Sequence, residues 1–163
     1  MSDQMPGGMD LAALTGAVVV GDDGSAASAN AVQWALDDAR RRGVRLVVVR
    51  AWSITTAPRP AGVERGYVPS EDEFAEAVRA EMASDLEVVL GHEVDRGEET
   101  AVLMPAHCGA VDALLLATRH AAVTVVGARG SGLARWLGSV SSGVVRSASG
   151  PVVVVHDRTH PEG

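Results

Sequence analysis

From Val123 to Val155 the chain reads V-T-V-V-G-A-R-G-S-G-L-A-R-W-L-G-S-V-S-S-G-V-V-R-S-A-S-G-P-V-V-V-V, and the order of its parts decides the fold. Val123 to Val126 is a short β-branched run, the composition of a strand buried on both faces. Glycines at 127, 130 and 132 then break the pattern, and a helical segment begins after Gly138-Ser139. Val152 to Val155 closes the stretch with a second apolar run. Strand, glycine loop, helix, strand is a βαβ unit. Such a loop can gather backbone N–H groups and a helix N-terminus around an anion.

Working outward, the same alternation repeats. Ala17 to Gly21 is a first apolar run, followed by Asp22-Asp23-Gly24-Ser25. Ser25 is suited to cap a helix that runs to Arg42 and stops at Gly43. Val32, Ala35, Leu36 and Ala39 form its apolar stripe. Asp37 with Arg41, and Asp38 with Arg42, are acid-before-base pairs for its solvated side. Val44 to Ala51 is a second strand, and Trp52 to Pro69 is a long loop. Ser70-x-x-Glu73 is a capping box ahead of the stripe Phe74, Val78, Met82, Leu86 and Val89, which predicts a helix to about Leu90. Thr100 to Met104 is a third strand, and Val111, Leu114 and Leu115 mark the helix after it. Residues 1–15 read as a disordered leader, 16–157 as one domain and 158–163 as a tail.

Five apolar strands alternating with four helical segments predict an α/β sandwich with a parallel sheet and right-handed crossovers. Ligands of such folds bind at the carboxyl ends of the strands. Those ends carry Asp23, Ala51 and the glycine loop, residues far apart in sequence that the fold would bring together.

Composition sets limits on partners. The chain of 163 residues is 47% hydrophobic and 3% aromatic, so its core is mostly Val, Leu and Ala. A net charge of −7 argues against a nucleic-acid or anionic-membrane surface. No apolar run approaches the length of a membrane span. A single cysteine, Cys108, leaves no intrachain disulfide and fits a reducing, cytoplasmic setting. Cys108 reads as a small packing residue or a helix-start residue rather than a nucleophile.

Rival chemistries fail letter by letter. All 14 basic residues are Arg, so a P-loop, which needs Lys, is excluded. Gly130-x-Gly132 follows the fourth strand and has Arg135 where a dinucleotide fingerprint needs its third glycine. No nucleophile elbow surrounds Ser131 or Ser139. A phospho-acceptor receiver is excluded by the missing lysine and by Met104-Pro105 at the end of the third strand. Histidines 92, 107, 120, 156 and 160 have no metal-ligand spacing.

The segments V-V-V-G-D-D-G-S (18–25), L-V-V-V-R-A-W (46–52), V-V-G-A-R-G…G-S-V-S (125–141) and G-P-V-V-V-V (150–155) resemble the universal stress protein family over roughly residues 17–156. The resemblance implies an adenine-nucleotide alpha-hydrolase-like, Rossmann-like fold with strand order 3-2-1-4-5. It also implies a cytoplasmic stress-response protein, not an enzyme beyond slow ATP hydrolysis, that binds ATP, with magnesium as an optional companion. It implies a homodimer through the last strand. By position, Gly127 and Gly130 match the first two glycines of the family's G-2x-G-9x-G-[S/T] motif. Gly138-Ser139 match its last pair, with Val140 and Ser141 continuing the helix start. Asp23 falls on the first-strand aspartate and Ala51 on the second-strand backbone position beside the adenine.

The physical reading of the loop agrees. Glycines let the backbone approach oxygen atoms closely, and Ser139 is placed to cap the helix whose positive end would face a phosphate. Arg129 or Arg135 would add a charge-assisted contact. One departure stands out: seven residues separate Gly130 from Gly138, where the motif has nine. The shortened loop supports a second reading, a nucleotide-free dimeric interaction module.

Overall fold

The computed structural model describes residues 4–91, 100–128 and 137–157. Its centre is a five-stranded parallel sheet. The strands are β1 (Val18–Gly21), β2 (Leu46–Ala51), β3 (Ala101–Ala106), β4 (Val123–Gly127) and β5 (Val152–Val155). Their spatial order is β3-β2-β1-β4-β5, the 3-2-1-4-5 arrangement when strands are counted within this sheet. A separate two-stranded antiparallel piece, Gln4–Met5 with Met9–Asp10, precedes it.

Helices α1 (Ala26–Arg42), α2 (Glu71–Asp85), α3 (Ala110–Thr118) and α4 (Ser139–Ser147) connect the strands. The Ser25 side chain accepts from the Ser28 amide at the start of α1, and Gly43 ends the helix in the left-handed region at φ 65°. At α2 the capping box forms in full between Ser70 and Glu73. Glu73 is held below the usual carboxylate range, chiefly by the Ser70 amide and also by the Tyr67 hydroxyl. The helix expected to reach Leu90 stops at Asp85, and a separate helical turn spans Glu87–Leu90.

Alternation of side chains along the strands divides the core in two. Val18, Val20, Leu46 and Val48 pack with Val32, Leu36, Val78, Met82 and Trp52 on the face of α1 and α2. Val19, Val47, Val49 and Val126 pack with Leu114, Ala117 and Val144 on the face of α3 and α4. β3 runs through Pro105 to Ala106, two residues beyond the expected Met104. It can do so because β3 is an edge strand, where a proline lacking its N–H leaves no neighbour unpaired. β5, the other edge, is half-buried along its whole length.

Within the expected leader, residues 4–15 take a defined structure, while residues 1–3 lie outside the described residues. Leu11–Leu14 forms a helical turn capped by Asp10, and Met9 and Leu14 are fully buried. Both join the α3–α4 side of the core, beside Met104 and Ala106. The Gly7 carbonyl accepts from the His107 amide at 3.0 Å. Short apolar segments such as M-D-L-A-A-L carry too little periodicity to reveal this, and burial against the sheet decides it.

Candidate functional site

The residues singled out in the sequence lie toward the carboxyl edge of β1, β2 and β4. The Asp22 amide donates to the Val49 carbonyl at 2.9 Å, extending the β1–β2 ladder by one residue. Continuing the register from Gly21↔Val49 sets Asp23 level with Ala51, and continuing it from Val20↔Val125 sets Asp23 level with Ala128. The three segments therefore leave the sheet at the same edge.

At the end of β1 the two aspartates face opposite environments. Asp22 is buried, and its Oδ1 accepts from the Gly24 amide at 3.0 Å and the Ser28 hydroxyl at 2.8 Å. Asp23 is exposed, and its Oδ1 accepts from the Ser25 amide at 2.9 Å. Partial burial alone would raise the Asp23 pKa, but hydrogen bonds from Ser25 and Ser28 outweigh it and hold the carboxyl below its ordinary range. An ionised acid is thus presented at the edge.

At the end of β2, Arg50 lies inside the strand and is buried, while Ala51 is half-buried. Arg50 Nε donates to Asp22 Oδ2 at 3.1 Å, and its Nη2 engages the same oxygen. Its Nη1 donates to Asp85 of α2 at 2.9 Å. Burial alone would make this guanidinium easier to deprotonate; the charges of Asp22 and Asp85 more than reverse that. Trp52 follows, stacked on His107 at 4.1 Å, and His107 Nδ1 sits 3.0 Å from Glu71 of α2. The adjacent Cys108 thiol is pushed up, first by burial and then by Asp112, which fits a packing residue better than a nucleophile.

At the end of β4 the chain leaves through Gly127 and Ala128 and returns at Leu137. The Gly138 amide donates to the Ala128 carbonyl at 2.8 Å. The buried Ser141 hydroxyl points at the same carbonyl at 3.1 Å and at that of Gly138 at 3.1 Å. The expected cap is corrected: Gly138 is the N-cap of α4, and Ser139 is the first helical residue. Among the described residues no side chain caps α4, and Ser139 is exposed while Val140 is half-buried. The first amides of α4 thus have no side-chain partner among the described residues. Ser141, by contrast, is committed to closing the loop.

Of the residues singled out in the sequence, Asp23, Ala51, Gly127, Gly138 and Ser139 converge on this edge. Gly130 lies outside the described residues, as do Arg129, Gly132 and Arg135. Sequence reasoning missed Arg50 and Asp22. The signal was available: a charged residue in the otherwise apolar run L-V-V-V-R-A requires a buried partner, and one of two adjacent aspartates supplies it.

The sequence model of the universal stress protein family matches residues 15–156. The chain belongs to that family.

A universal stress protein of Mycobacterium tuberculosis is 35% identical over 158 residues, covering 89% of this chain and 50% of the relative. One from Mycolicibacterium smegmatis is 36% identical over 151 residues, covering 86% and 46%. This chain therefore spans about half the length of the curated relatives it matches. Among solved structures, a universal stress protein in complex with cAMP superposes with a TM-score of 0.57 at 27% identity, covering 86% of this chain and 96% of that one. The universal stress protein of Archaeoglobus fulgidus in complex with dAMP gives a TM-score of 0.54 at 25% identity, covering 86% and 98%. These neighbours share the α/β architecture and bind adenine nucleotides. Among the described residues no helix is long and apolar enough to cross a membrane.

Proposed function

We propose that this universal stress protein domain binds an adenine nucleotide, with ATP as the ligand, at the carboxyl edge of β1, β2 and β4. The observation that carries the reading is the start of α4. Among the described residues no side chain caps its first amides, Ser139 beside them is exposed, and they follow β4, which pairs with β1 as β1 pairs with β2. In this account the phosphates meet the α4 amides and Ser139, where the helix dipole favours negative charge. Gly127 brings backbone close to the phosphate oxygens; Gly130, expected to do the same, lies outside the described residues. The Ala51 backbone and the Asp23 carboxylate face the nucleoside.

The groups fit such a ligand. Asp23 is ionised and exposed, and a carboxylate can accept from ribose hydroxyls. Among the described residues no group of three His, Cys, Asp or Glu side chains could hold a metal. Magnesium would accordingly arrive on the nucleotide's phosphates. The reading assigns nucleotide-dependent conformation or association, in a cytoplasmic setting, rather than rapid hydrolysis. It includes a homodimer through β5, whose half-buried valines lie at a sheet edge that a partner strand would cover. Denaturing the purified protein and analysing the supernatant tests the reading. Released adenine nucleotide supports it; a nucleotide-free preparation that also fails to take up ATP contradicts it.

One observation favours the second reading, a nucleotide-free dimeric module. The glycine segment is two residues shorter than the family motif, and its ends are tied together by the Gly138–Ala128 bond. Inserting two residues between Gly130 and Gly138 separates the two accounts. If insertion creates ATP binding that the native chain lacks, the module reading holds.

A further inference from the structure

Arg50 connects the two strand ends that the nucleotide reading assigns to the nucleoside. A guanidinium inside a buried strand is tolerated only when its charge and donors are matched. Here the match is specific. Nε and Nη2 both engage Asp22 Oδ2, and Nη1 reaches Asp85 at 2.9 Å, with Glu81 3.9 Å away. The other Asp22 oxygen, Oδ1, holds the Gly24 amide and the Ser28 hydroxyl. The Ser28 oxygen in turn accepts from the Asp23 amide at 3.3 Å. A continuous chain of contacts therefore runs from Arg50 through Asp22 to the backbone on both sides of Asp23.

Arg50 is also the neighbour of Ala51, so the same side chain ties the β2 end to the β1 turn. Gly24 closes the arrangement. Its φ is +82°, and a Cβ there would stand 3.5 Å from both Arg50 Nη2 and Asp85 Oδ2. The turn thus lies directly against the ion pairs. Lysine could not reproduce this, because one ammonium lacks the planar fork that engages Asp22 and Asp85 together.

We propose that Arg50 is a positioning residue of the nucleotide site: through Asp22 it fixes the β1–α1 turn, so that Asp23 and the Ala51 backbone are held at one height for the nucleoside. The proposal rests on the adenine-nucleotide reading of this edge and adds to it the residue that sets its geometry. Asp85 extends the linkage to α2.

The test compares the native protein with Arg50→Met and Arg50→Lys, reading ATP affinity by calorimetry and the Asp23 carboxyl pKa by NMR. Arg50→Met should weaken ATP binding by about tenfold to a hundredfold, the range that follows loss of a partner orienting a metal ligand. In the same variant the Asp23 pKa should rise toward its ordinary value, because the Ser25 and Ser28 bonds loosen. Arg50→Lys should recover part of both. Should Arg50→Met fail to fold, with Asp22 buried and unpaired, the double variant Asp22→Leu/Arg50→Met removes both charges. That variant should fold and still bind weakly. Native ATP affinity and an unchanged Asp23 pKa in folded Arg50→Met, or native affinity in the double variant, would overturn the proposal. If the native protein itself binds no adenine nucleotide, the nucleotide reading fails. The Asp23 pKa then still reports whether Arg50 sets the turn.

Discussion

The amide of Gly138 donates to the carbonyl of Ala128 across 2.8 Å, and the hydroxyl of Ser141 is directed at the same oxygen. Two residues ten positions apart are thereby joined. This contact aims the start of α4. Ser141→Ala should lower stability by about 1 kcal/mol, the net worth of a typical buried hydrogen bond. Urea denaturation reads it, and a stability unchanged from the native protein would show that the hydroxyl does not hold the closure.

Gly150 predicts a larger effect. A Cβ at this position would stand 2.3 Å from the Thr118 carbonyl oxygen, a backbone atom at the end of α3. The Ser149 amide already bonds the Thr118 hydroxyl, so the turn before β5 has little room to retreat. Gly150→Ala should cost about 1–3 kcal/mol, the range for forced overpacking. Thermal unfolding measures it.

The N-terminal segment offers a local test. Gly7 has φ +78°, and a Cβ there would lie 3.2 Å from the Cys108 sulfur and from the His107 backbone. Gly7→Val should therefore detach the segment before Met9 and increase its hydrogen exchange, while the sheet keeps its protection. Unchanged exchange at residues 4–10 would mean that the contact with His107 contributes little.

Asp23 sets a pH dependence. Its folded pKa is depressed, so it binds its proton more weakly in the native state than when unfolded. The stability it contributes is present above the ordinary carboxylate pKa and is lost as pH falls through the lower native value. Asp23→Asn should flatten the acid limb of stability against pH. An acid limb identical to that of the native protein would assign the dependence to other carboxylates.

Much of the fold was legible because apolar runs of four to eight residues bounded by glycine leave little choice but buried parallel strands. The α1 and α2 starts were legible at Ser25 and Ser70 because caps are local chemistry. The convergence of Asp23 and Ala51 followed from topology alone. Three features depended on tertiary contacts. Pro105 continues β3 because that strand is at an edge, a fact about neighbours rather than about Pro105. Met9 and Leu14 are ordered by burial against the sheet, which their own short segment does not announce. Ser139 and Gly138 differ by one position in which is the cap, and such a shift is decided by how the chain returns to Ala128. Arg50 was visible as an anomaly in an apolar strand, but its partner on α2, Asp85, lies 35 residues away and only the fold reveals it.

Calorimetric titration of the purified, nucleotide-stripped protein with ATP, with GTP as the control, tests the central claim most directly. The account predicts saturable heat with ATP, weaker or absent heat with GTP, and loss of the ATP signal when Asp23 is replaced by Ala. No heat at millimolar ATP, or equal heat with both nucleotides, would contradict it.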